Sequence, residues 1–151
     1  MLTQEQRLSM LQAPAGLVDI VVDTDAYNEI DDQFAISYAL CSPERINLLA
    51  LYAAPFLNQH SVSPEDGMVK SEQEIRKLLA LIGQEREVYA GSRRFLVDES
   101  TPEDSPAARD LCSLCHGDTL VGRFLEGMSG GTVVSKEKKK LPRLPLLGML
   151  V

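Results

Sequence analysis

No stretch of about 18 consecutive apolar residues occurs in this chain of 151 residues, so nothing in it reads as a membrane span. The opening residues, MLTQEQRLSMLQAP, lack a basic segment followed by a long apolar core and do not read as a secretory signal. Cysteine is scarce and odd in number: three residues without an export signal point to reduced thiols and a cytoplasmic setting. Basic residues are outnumbered, 15 against 22 acidic, and a net charge of −7 argues against nucleic acid as the main partner. Five of the basic residues crowd into KEKKKLPR at 136–143, which leaves the rest of the chain at −11. No internal repeat is visible.

What remains is a globular composition, 44% hydrophobic and 25% charged, long enough for one domain with a core. Thr3 is placed to cap a short helix to about Leu11, with Leu8 and Leu11 on one face. Leu17–Val22 is a β-branched apolar run that fits a buried parallel strand. Asp31 to about Cys41 reads as a helix, with Phe34, Ala35, Tyr38 and Ala39 as its apolar stripe. Ile46–Ala54 reads as a second strand, so the first half opens as a βαβ unit. Phe56–Gly67 reads as a polar loop. Ser71–Ile82 reads as a helix opened by a capping box of Ser71 and Glu74. Val88–Ala90 is a brief third strand and Ala107–Leu114 a short helix. The expected fold class is α/β, a mostly parallel open sheet with flanking helices.

One segment does not fit a purely structural account. In VDTDAYNEIDDQFA, Asp23, Asp25, Glu29, Asp31 and Asp32 fall within ten positions, directly after the first strand. Carboxylates this close repel one another unless protonated or bridged by a cation. Hard cations such as Ca²⁺ and Mg²⁺ prefer such oxygens. Ligands of open α/β sheets sit beyond the carboxyl ends of the strands, where this cluster lies. The EF-hand pattern is absent. A phosphatase-like strand-end D-x-D, with Asp23 as nucleophile and Asp25 as acid/base, is an alternative, as is a solvated loop with capping acids.

The segment VVDTDAYNEIDDQFAI resembles the N-terminal motif of the inosine-uridine-preferring nucleoside hydrolases, in a variant with a longer spacing between Asp25 and Asp31. LYAAPFLNQHSVSPEDGMVKSEQEIRKLL resembles that family's second strand, Asn-bearing loop and following helix, and VYAGSRRFL its third strand and loop. The resemblance covers roughly residues 17–110. It implies Ca²⁺-dependent hydrolysis of the N-glycosidic bond of purine and pyrimidine ribonucleosides to ribose and free base. It also implies roles: Asp25 as Ca²⁺ ligand and general base, Asp32 as second Ca²⁺ ligand, Asp31 and Asn58 on the ribose hydroxyls, and Asp23 in a supporting position. The family's later part, with a further Asp ligand, a carbonyl ligand and often a His, has no counterpart here. The expectation is therefore a truncated nucleoside-hydrolase domain over residues 1–126 and an irregular basic and apolar tail over 127–151. A shortened sheet would leave an open edge, which suggests homo-oligomer formation or, as an alternative function, a catalytically inactive module that binds a partner.

Four lesser signals complete the reading. Cys112-Ser-Leu-Cys115-His116 matches a haem-attachment pattern but reads better as a helical turn with small thiols. Arg93 and Arg94 are expected to pair with nearby acids rather than with an anion. KEKKK at 136–140 reads as solvated lysines. Tyr27 and Phe56 flank the acidic cluster and are candidates to contact a base.

Overall fold

The computed structural model describes residues 3–12, 15–97, 103–114 and 149–150. The apolar runs form parallel strands β1 (Val18–Thr24), β2 (Ile46–Ala53) and β3 (Glu87–Ala90). A two-residue strand, β4 (Met149–Leu150), lies parallel to β1 on its other side, giving the order β3-β2-β1-β4. Nothing in the period of the tail foreshadowed that strand. Helices α1 (Gln4–Met10), α2 (Asp31–Leu40), α3 (Pro64–Ile82) and α4 (Pro106–Leu114) complete the described elements. The α/β class with a parallel open sheet is as expected. The expected boundary at 126/127, Cys115, His116 and the KEKKK run lie outside the described residues.

β1 extends two residues past its apolar run and so carries Asp23 and Thr24 into the sheet, opposite Tyr52 and Ala53. Strand alternation then sends these two neighbours to opposite faces. Val18, Ile20 and Val22 join Leu48 and Leu51 under α2 and α3, with Ile36, Ala39, Leu40, Ile75 and Leu79 from the helices. Val21, Ala50 and Tyr52 face the other side, where Ala107, Leu111 and Leu114 of α4 cover them. The Tyr52 hydroxyl donates to Asp110 at 2.7 Å, fastening α4 to that face. The change of pairing between Ile20–Leu48 and Val21–Ala50 skips Leu49, a bulge that keeps the apolar sets of both strands in phase with their faces.

Three expectations need correction. The stripe of α2 is not Phe34, Ala35, Tyr38 and Ala39. Asp32, Ile36, Ala39 and Leu40 are buried, whereas Phe34 and Tyr38 are 70% and 71% exposed. The helix is turned so that Asp32 meets the end of β1, and the residues at i+4, i+7 and i+8 from it follow onto the core. Second, α3 begins at Pro64, not Ser71. Ser63 caps it by accepting from Asp66 N–H, and Pro64 occupies the first turn, where its missing N–H costs nothing. Ser71 is buried mid-helix and donates to the Gly67 carbonyl at 3.1 Å. Third, Leu8 and Leu11 do not form a buried face; both are exposed, although Thr3 caps α1 as expected.

Gly67 explains how the loop after β2 is seated. A Cβ at this position would lie 2.1 Å from the Phe56 carbonyl oxygen and 2.8 Å from its nitrogen, so the loop backbone rests directly on the helix. Gly83, at φ +72°, ends α3 with its N–H and that of Gln84 on the carbonyls of Ala80 and Leu79. Gly67→Ala is expected to cost about 1–3 kcal/mol or more, because backbone rather than a flexible side chain must move. Urea unfolding followed by circular dichroism measures this, and an unchanged midpoint would refute the close approach.

Candidate functional site

The site is built around Thr24 and Asp32. Thr24, on the helix-covered face of β1, is buried, and its hydroxyl donates to Asp32 Oδ1 at 2.5 Å. Asp32, in the first turn of α2, is only 2% exposed. Acidic residues are favoured there by the helix dipole, but burial opposes the charge. Burial is the largest influence on Asp32 and pushes its pKa up. The charges of Asp25 and Asp31 push the same way, and the Thr24 hydrogen bond opposes them. The Asp25 charge acts on Asp32 across the short turn that joins β1 to α2.

Of the other expected residues, Asp25 and Asn58 share one chain of hydrogen bonds, and Asp23 lies apart from it. Asp25 is half-buried and accepts from Asn28 Nδ2 at 2.9 Å, while Asn28 N–H closes a turn onto the Asp25 carbonyl at 2.7 Å. Asn28 Oδ1 accepts in turn from Asn58 Nδ2, so the loop after β2 is joined to the turn after β1. Asn58 Oδ1 accepts from His60 N–H at 2.7 Å. Asp31 is exposed beside Asp32 and touches its neighbours through its charge. Asp23 belongs to the opposite face. Its side chain is exposed overall, yet crowding of the carboxyl, followed by the Asp25 charge, raises its pKa.

Sequence reasoning missed Thr24, Asn28 and His60. Thr24 looks like strand filler, and an Asn three residues after Asp25 looks like ordinary turn chemistry. Phe56 is only 4% exposed and holds the loop down from inside, so it is closed to any ligand. Arg93 and Arg94 pair with acids as expected, Arg93 with Glu65 at 3.6 Å and Arg94 with Glu103. They border a cleft of about 430 Å³ past the end of β3, which the acidic cluster does not line. None of the described helices is long and apolar enough to cross a membrane.

The acids at the β1 end, Asp25 and Asp32 among them, form no group of the kind that could hold a metal ion by themselves, and no group of three or more His, Cys, Asp or Glu gathers among the described residues. Beside them, Gln33 Nε2 donates to the Ala26 carbonyl at 2.8 Å, while its buried Oε1 has no hydrogen-bond partner. An amide oxygen left in that state is the kind of ligand Ca²⁺ accepts, within a shell of roughly six to eight oxygens. No family model, no curated protein and no solved structure matches this chain.

The raised pKa values set the sign of a pH effect. A carboxyl with a folded-state pKa above its unfolded value binds protons more readily when folded. Its contribution to stability therefore falls as pH rises from the ordinary carboxylate range through the raised value, and stays unfavourable above it. Asp32→Asn keeps an oxygen for Thr24 and removes the charge. In chelator it is expected to be more stable than the parent at pH 7.5, with the advantage shrinking towards pH 4. Thr24→Val, which strands the Asp32 carboxyl, is expected to cost about 1.5–3 kcal/mol at pH 7.5. Urea titrations at the two pH values check both; a less stable Asp32→Asn in chelator would contradict the repulsion.

Proposed function

We propose that the cluster at the end of β1 is the metal and sugar side of a Ca²⁺-dependent ribonucleoside N-glycosidase site. The observation that carries the reading is the buried Asp32 carboxyl held by Thr24 at the end of β1, with Asn58 tied through Asn28 to the nearby Asp25. The sequence resemblance gives these three residues to one site; hydrogen bonds through Asn28 link Asp25 with Asn58, and Thr24 holds Asp32 separately. Asp25 and Asp32 would hold the cation. Ca²⁺, when bound, offsets the paired negative charges and makes a nearby water a stronger acid.

The chain's own groups supply the rest. Cleavage of an N-glycosidic bond develops positive charge on the ribose ring, and carboxylates beside the ring stabilise it. Asp25, half-buried and held by Asn28, takes the proton of the attacking water. Asp32 is kept in place by Thr24. Asp31, exposed beside Asp32, and Asn58 accept and donate to ribose hydroxyls. A phosphatase-like reading draws less support, because Asp23 belongs to the face of β1 opposite to Thr24 and Asp32.

Ca²⁺ is expected to raise the melting temperature, by an amount equivalent to about 2.7 kcal/mol at a hundredfold excess over Kd. Asp25→Ala and Asp32→Ala are expected to abolish the shift. With inosine or uridine, Asp25→Asn is expected to lower kcat by about 10²–10⁴-fold and to change KM little. Differential scanning fluorimetry with Ca²⁺ and chelator, and an assay for reducing sugar, measure these. A parent protein indifferent to Ca²⁺ would refute the metal assignment; a Ca²⁺ response without hydrolysis would leave an inactive binding module.

A further inference from the structure

The loop residues Asn58–His60 are held from several sides. Asn58 donates to Asn28, and its own side-chain oxygen accepts from His60 N–H at 2.7 Å. Lys70 Nζ donates to the His60 carbonyl at 2.7 Å and is itself paired with Asp66 at 2.7 Å. The main chain of His60 is thus fixed before and after its Cα. Its ring is set against Tyr27, with centroids 6.4 Å apart and planes at 87°. Tyr27 stands in the turn that Asn28 closes onto Asp25. It is 45% exposed, and His60 is exposed as well.

Two rings held edge to face at the surface form a notch rather than a piece of core. A flat heteroaromatic can stack on the face of one ring while its rim meets the other. Stacking depends on a π-face and not on a particular hydrogen-bond pattern, so such a notch accepts purines and pyrimidines alike. The ring nitrogens of His60, with Gln59 Nε2 3.5 Å from Nε2, add polar contact at the rim. The ordering cost has been met during folding, because the flanking main chain is already tied down. Asp25, Asn28, Asn58 and His60 are linked in series, so the notch and the acidic pair stand on the same two loops.

We propose that Tyr27 and His60 form the platform for the heterocyclic base of a ribonucleoside whose sugar lies at Asp25, Asp32 and Asn58. The inference rests on the glycosidase reading above and gives it a base side within the described residues. These two side chains act in recognition, not in bond cleavage.

The test uses the full chain saturated with Ca²⁺ and three probes: inosine, uridine and free ribose. Calorimetry gives affinities, and the imidazole C–H resonance of His60, distinguished from that of the other histidine by a His116→Ala variant, reports the rings. Inosine and uridine are expected to move the His60 resonance and to bind at least about tenfold tighter than ribose, the scale of one base–aromatic stack. Tyr27→Ala and His60→Ala are each expected to weaken inosine about tenfold, with ribose affinity and the Ca²⁺ thermal shift unchanged, and Tyr27→Phe to restore binding. Equal affinities for ribose and inosine, or Tyr27→Ala without effect on inosine, overturn the platform and leave the glycosidase reading standing. Failure of ribose and nucleosides alike to bind overturns both.

Discussion

The buried hydrogen bond from Thr24 to Asp32 governs this structure more than any other contact. It joins the last residue of β1 to the first turn of α2, and so sets how the helix is rotated on the sheet. With Asp32 drawn inward, Ile36, Ala39 and Leu40 follow it into the core, and Phe34 and Tyr38 are left facing out. The same bond carries a carboxyl into an apolar setting, close to another. A chain selected for stability alone would replace that arrangement with a well-packed apolar pair.

The site's second loop depends on a different kind of constraint. Asn58 and His60 lie some thirty residues beyond the acidic turn in sequence, and they reach it because Phe56 is buried beneath the loop while the loop backbone rests on Gly67. Once seated, the loop is tied across to Asn28 and back to Lys70. Packing places the loop, and polar contacts orient its side chains. Asp25, Asp32, Asn58 and His60 are therefore each held by a neighbouring group.

Much of this was legible in the sequence, and the reasons are physical. The two long apolar runs, rich in β-branched residues and bounded by breakers, fit buried parallel strands, and the five acids after the first of them mark the carboxyl end of that strand. Two large apolar side chains, Phe34 and Tyr38, misled the reading of α2, because size suggests burial until a polar anchor such as Asp32 decides the rotation. The start of α3 was misread because Gly67 looks like a loop residue; only the nearness of the Phe56 backbone shows why a helix would carry glycine there. Tyr27 meeting His60 is a contact between distant segments, to which no local period gives access.

The seat of the loop on α3 also bears on how this chain can change. The clamp at Gly67 is main chain against main chain, so it is indifferent to which side chains the loop displays. Substitutions at positions 57, 59 and 60 alter what the loop presents without disturbing how it is mounted, whereas a side chain at 67 meets the Phe56 backbone. Variation is thereby partitioned: one small position is closed to change so that several exposed ones stay open. The loop behaves as an exchangeable fitting on a fixed mount, a division of labour through which the displayed side chains can drift while the fold stays the same.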